Sequence, residues 1–211
     1  MTKLNIIEQN NIIIINPNSM KNIKKYNLKH SKKMDKNLTI EQVLKMEKPT
    51  DHFILTIEDN TPGVRFNGFK LRNMETSEVY HEYYPNDIYE LDYFADHELE
   101  YAFSNKLISK VKTIGSTLNL VVGNQVVKNL VLIERHYVEG KLAANYQFKF
   151  PLFMPNSQNS IEFIYNIPKL ADDVVKKIEN NQDVNARSDT FIFVEGKLVV
   201  HRRARYVYYP D

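Results

Sequence analysis

Apolar side chains recur at every second position along most of the chain beyond Val64. Phe69 and Leu71 alternate with Lys70 and Arg72, Leu99, Tyr101 and Phe103 with Glu100 and Ala102, and Leu118, Leu120 and Val122 keep the same spacing. Tyr146, Phe148, Phe150 and Leu152 alternate with Gln147, Lys149 and Pro151 before a break at Pro155-Asn156-Ser157. A period of two sends successive side chains to opposite faces of an extended chain, so each run predicts a half-buried strand. Phe191–Val194 and Leu198–Tyr209 supply a closing pair. Gly123-Asn124, Glu139-Gly140 and Glu195-Gly196 stand between such runs. Residues of this kind tolerate positive φ, which predicts a hairpin at each.

The period turns helical in two places. Thr39-x-x-Gln42 is a capping box, in which the threonine hydroxyl meets the N3 amide and Gln42 reaches back; Val43, Leu44 and Met46 then give a short helix its apolar side. Leu170, Val174 and Ile178 recur at i, i+4 and i+8, with Pro168 just ahead and Lys176-Lys177 near the end. Roughly seven to nine strands separated by turns predict an all-β chain: an antiparallel β-sandwich with one short N-terminal helix and one helical insertion before the last hairpin.

Length and charge divide the chain unequally. The 211 residues suffice for one domain with a single core. Residues 1–37 hold eight Asn and eight Lys with little periodicity, a composition that buries too little apolar surface to fold, so they predict a disordered basic arm ahead of a sandwich over 38–211. Up to Lys36 the eight lysines outnumber Glu8 and Asp35 by six charges, so the total of +2 leaves the remainder at −4. That body is wrong in sign for nucleic acid. Zero cysteines exclude a disulfide framework, a thiolate metal site and a thiol nucleophile. No stretch approaches the roughly 18 apolar residues of a spanning helix, and Met1-Thr2 begins neither a signal peptide nor a myristoylation motif. The chain is expected to be cytoplasmic, without stable membrane insertion.

Catalytic motifs are scarce. Among six glycines no phosphate-cradling spacing occurs, and His81-Glu82 and His97-Glu98, which begin like a zincin signature, are followed four residues after each histidine by Pro85 and Tyr101. No metal, cofactor or enzymatic activity is therefore expected. Glu134-Arg135-His136 is the most unusual polar run: period two puts Glu134 and His136 on the face of Leu132 and Arg135 on the other. The pair can serve acid–base chemistry, can pair with neighbours, or can be a polar anchor in an apolar site. Eleven Phe and thirteen Tyr, Tyr101, Tyr146, Tyr165 and Tyr206 among them, fit either an ordinary core or the lining of a ligand cavity. Arg203 and Arg205, alternating with Ala204 and Tyr206, read as the solvated face of a terminal strand.

Several segments resemble one family in order and spacing. They are Phe69-Lys70-Leu71-Arg72-Asn73-Met74, Leu132-Ile133-Glu134-Arg135-His136-Tyr137, Pro155-Asn156-Ser157-Gln158-Asn159-Ser160 with Ile164-Tyr165, and Arg187-Ser188-Asp189-Thr190-Phe191 with Leu198-Val199-Val200-His201. The family is that of the uncoordinated-one-nineteen lipid-binding chaperones, relatives of the delta subunit of retinal cyclic-GMP phosphodiesterase. The resemblance implies an immunoglobulin-like sandwich whose interior takes the acyl chain of N-myristoylated proteins, with cargo carried towards cilia or flagella and released by a GTP-bound Arf-like small GTPase. It also implies a site made of Phe69, Leu71, Tyr101, Leu118, Leu132, Tyr146, Phe148, Tyr165 and Tyr206, with Glu134 near the first residues of the cargo peptide. A prenyl-protein carrier and a sandwich adaptor with a filled core are the alternatives.

Overall fold

The computed structural model describes residues 36–84 and 97–210; the basic arm expected at the N-terminus lies outside these up to position 35. Nine strands form two sheets: β1 (Arg65–Asn73), β2 (Val79–Tyr83), β3 (Leu99–Ser104), β4 (Thr113–Val121), β5 (Val127–Val138), β6 (Lys141–Phe153), β7 (Gln158–Asn166), β8 (Ala186–Val194) and β9 (Lys197–Tyr209). One sheet runs β2-β1-β4-β7 and the other β3-β9-β8-β5-β6. Among the described residues three α-helices accompany them, α1 (Ile40–Leu44), α2 (Lys106–Lys110) and α3 (Asp172–Glu179), with a 3-10 turn at Ile57–Asp59. The Thr39–Gln42 capping box closes reciprocally on α1. In α3 the buried residues are Val174 and Ile178, whereas Leu170 stands before the helix begins. α2, only five residues long, leaves too short a periodic trace to be read from the sequence.

Two of the three expected hairpins form. Glu139 (φ 49°) and Gly140 (φ 73°) join β5 to β6, and Glu195 (φ 51°) and Gly196 (φ 81°) join β8 to β9. Paired positive φ is the twist that an antiparallel two-residue turn demands. Gly123-Asn124 is different, because β4 and β5 belong to opposite sheets and the segment is a crossover. Its glycine serves a close approach: a Cβ there would come within 2.8 Å of the Pro62 carbonyl oxygen. One pairing departs from the antiparallel expectation, since β3 runs parallel to β9 with Tyr101 opposite Tyr206. β9 is consequently an interior strand, and Arg203 is an ion-paired residue, 3.3 Å from Glu98, rather than part of a solvated face.

Beside α2, Leu71, Phe103, Leu107, Val111 and Ile114 join the two sheets, and the sheets also pack tightly at one end. There Val64, Leu120, Val122, Leu130, Leu132 and Ile192 form a buried cluster between them. A second cluster lies outside the sandwich, where Val43, Ile54 and Leu55 of the N-terminal segment cover Ile133, Phe191, Phe193 and Leu198 on the outer face of the five-stranded sheet. The runs 130–133 and 191–194 are continuously apolar because both faces of β5 and β8 are buried.

A buried polar latch holds this covering segment. Asp189, 1% exposed, accepts from the Thr50 amide at 2.7 Å and the Thr50 hydroxyl at 2.9 Å. His201, also 1% exposed, accepts at Nδ1 from the Ile54 amide at 3.1 Å, which leaves its proton on Nε2, 3.3 Å from the Thr50 hydroxyl. Arg135 donates to the Met46 carbonyl and, at 2.8 Å, to Asn145. Burial pushes the His201 ring below its ordinary pKa despite Asp189 nearby, and burial alone pushes His81 down to about 4.

Asp189→Ala orphans the Thr50 donors and is expected to cost roughly 3–5 kcal/mol in urea denaturation. Both histidines bind protons less readily folded than unfolded. Their contribution is complete above the ordinary value of 6.5 and is lost as pH falls towards the folded values, about 4 for His81. Urea midpoints should thus hold between pH 8 and 7 and decline below about 6.5, and His81→Phe should flatten the lower part of that decline.

Candidate functional site

Beyond the packed end the sheets separate around a cavity of about 510 Å³, within the range that encloses one small ligand. Alternation supplies its wall. From the four-stranded sheet come Phe69 and Leu71 on β1, Leu118 on β4 and Tyr165 on β7; from the other come Tyr101 on β3, Leu132 and Glu134 on β5, Tyr146 on β6 and Tyr206 on β9. Nine of the ten residues proposed from the sequence therefore meet at one surface. Phe148 does not reach it, and instead packs on Phe163 with ring centroids 4.0 Å apart. The interior is hollow, which does not fit the alternative of a filled-core adaptor.

The tyrosines form a connected belt. Tyr101 and Tyr206 stack at 5.8 Å, and Tyr146 and Tyr165 stand 4.5 Å apart. Two of these hydroxyls have close partners: Tyr206 and Ser188 are 2.8 Å apart, and Tyr146 donates to the Asn166 carbonyl at 3.2 Å. Burial first, and the Glu134 carboxylate second, push Tyr165 and Tyr206 well above the usual phenol range. Burial chiefly raises Tyr101 to about 12. These phenols stay neutral at physiological pH, which keeps the lining compatible with hydrocarbon.

Glu134 is the exception. Its Oε1 lies 3.4 Å from His136 Nε2, near enough for attraction but not in hydrogen-bonding geometry, since that nitrogen has no hydrogen-bond partner. The His136 ring sits 5.8 Å from both Tyr146 and Tyr206. The carboxylate makes no hydrogen bond among the described residues, so its oxygens remain open to a donor from a ligand. No group of three His, Asp or Glu side chains among the described residues is placed to hold a metal ion.

Several wall residues were not among the ten proposed from the sequence. Leu107 and Ile108 line the cavity from α2, and Ile167, Pro168 and Leu170 line it from the segment ahead of α3. Arg202 lies on its inner wall, 8% exposed, with its guanidinium 5.1 Å from the Phe66 ring centroid. The alternation of β9 places Arg202 on the Tyr206 face, a signal hidden by its two arginine neighbours. His81, set aside as half a metal motif, is likewise a wall residue.

A hollow sandwich lined by phenylalanine, leucine and neutral tyrosine, in which Glu98 and Glu100 are paired with arginines and Glu134 is not, defines a lipid-binding carrier. The family model described as GMP-PDE, delta subunit, matches residues 58–208. The human protein unc-119 homolog B is 33% identical over 180 residues, covering 80% of this chain and 70% of its own length. The Caenorhabditis elegans protein unc-119 is 33% identical over 176 residues, covering 81% and 80%, and the zebrafish unc-119 homolog B is 32% identical over 186 residues, covering 83% and 75%. The chain belongs to the GMP-PDE delta-subunit family, alongside its unc-119 proteins.

Filling the void should remove binding without unfolding the protein. Leu118→Trp is expected to abolish fluorescence enhancement of an environment-sensitive apolar dye while shifting stability by less than about 1.5 kcal/mol. A dye signal equal to that of the native chain would place the dye elsewhere.

Proposed function

We propose that this protein is a non-enzymatic carrier that takes the acyl chain of N-myristoylated proteins into its interior, keeps them in solution and transfers them between membranes. The observation that carries the reading is the apolar cavity of about 510 Å³ with Glu134 set in its wall. Burial of an acyl chain gains about 0.8 kcal/mol per methylene. Roughly a dozen methylenes therefore supply on the order of 10 kcal/mol before association costs. Hydrocarbon contact alone does not distinguish a lipidated peptide from a free fatty acid. Glu134 does, because its carboxylate accepts amide hydrogens from the first residues beyond the acyl link.

Release needs a partner, since a ligand so enclosed leaves slowly. A GTP-bound Arf-like small GTPase that prefers the cargo-free conformation lowers cargo affinity by the same factor by which cargo lowers its own. The carrier then works in the cytoplasm, with cilia or flagella as destinations. The basic arm supports weak attraction to anionic membranes where acylated cargo resides.

A fluorescent peptide with a myristoylated N-terminal glycine should bind, and its unacylated twin should not; equal or absent binding of both sinks the proposal. Glu134→Ala should weaken the acylated peptide about tenfold and free fatty acid little. Tyr101→Ala and Tyr165→Ala should weaken both ligands, and deletion of residues 1–33 neither. A farnesylated peptide that binds more tightly than the myristoylated one would make the protein a prenyl carrier instead.

A further inference from the structure

One polar ring in the cavity wall has no role in the capture of plain hydrocarbon. His81 lies on β2 opposite Leu71, is 8% exposed, and lines the cavity. Three rings surround it: Phe69 with centroids 5.5 Å away, Tyr101 edge-on at 5.1 Å, and Phe103 at 6.3 Å. Its Nδ1 is buried and has no hydrogen-bond partner among the described residues. Burial holds the imidazole neutral at physiological pH, and a neutral imidazole carries one N–H donor and one acceptor.

Such a group is anomalous beside a saturated chain. Buried polar atoms are nearly always paired, and an unpaired one weakens whatever is packed against it. A buried water is a poor remedy, because it needs two to four polar partners, and two of the three surrounding rings are phenylalanines. An oxygen carried in on the ligand itself meets the requirement. We propose that His81 selects acyl chains bearing a hydrogen-bonding oxygen, as hydroxyl, keto or ether, at the depth of β2. The inference rests on the carrier reading and specifies its ligand. Depth follows from the rings between the two polar groups: His81 contacts Tyr101 at 5.1 Å, Tyr101 contacts Tyr206 at 5.8 Å, and Tyr206 contacts His136 beside Glu134 at 5.8 Å. A chain whose peptide end meets Glu134 passes two tyrosines before it reaches His81, so the oxygen sits along the chain and not at its head.

The test is an oxygen scan. Peptides are N-acylated with a tetradecanoyl chain in which one ether oxygen replaces each methylene in turn, and are titrated against the native protein, His81→Phe and His81→Gln, with thermal melting to verify folding. One position should bind the native protein at least as tightly as the plain chain. At that position His81→Phe should lose about tenfold relative to the plain chain, while His81→Gln keeps the preference. Ether oxygens that weaken binding equally in the native protein and in His81→Phe, at every position, overturn this inference and leave the carrier reading standing. Failure of every acylated peptide, the plain chain included, to bind the native protein overturns both.

Discussion

Two sheets that enclose a void cannot stabilise each other across it, and this constraint shapes the rest of the molecule. The five-stranded sheet recovers on its outer face what it forgoes inside: Ile133 and Phe191 are fully buried there beneath the N-terminal segment. That segment has only the short helix α1 and a 3-10 turn at Ile57–Asp59 among its described residues to satisfy its own backbone. It is fixed by side chains of the sheet, through the Thr50 and Ile54 amides on Asp189 and His201. Adjacent positions divide the two tasks. Asp189 and Phe191 face outward, whereas Ser188 and Thr190 line the cavity.

The interior is tuned by desolvation more than by charge. Burial keeps Tyr165 and Tyr206 neutral, their hydroxyls stay close to Ser116 and Ser188, and the lining presents hydrocarbon. The Glu134 carboxylate reinforces this, because a second negative charge beside it is disfavoured. A carboxylate with no hydrogen bond among the described residues, Glu134, in such a wall gives direction to a binding energy that is otherwise indifferent to orientation.

The set of cavity residues was implied by the family resemblance, whereas the strands themselves were legible from period-two alternation. It failed where its premise failed. Phe191–Val194 gives no alternation because both faces are buried, so the third layer was invisible beforehand. Gly123-Asn124 looks like a hairpin turn because turn chemistry does not record whether the next strand returns to the same sheet. Phe148 shares a face with Tyr146 yet stands behind Phe163, since a strand's inner face extends past the cavity into the packed end. α2 and His81 reach the wall through tertiary placement, which single-sequence periodicity does not encode.

Among the described residues the edge strands β2 and β3 have one sheet neighbour each, β1 and β9. Across the gap between the sheets they meet through His81 and Tyr101, rings 5.1 Å apart and edge-on. Hydrogen-bonded ladders resist shear at every residue, whereas ring contacts are few and weak. The sandwich therefore has a seam, and parting it exposes the cavity from the side while the central ladders β1-β4 and β8-β5 stay intact. Local opening of this kind draws on the low end of a protein's stability spectrum, so these two edges are expected to part well before the central ladders do.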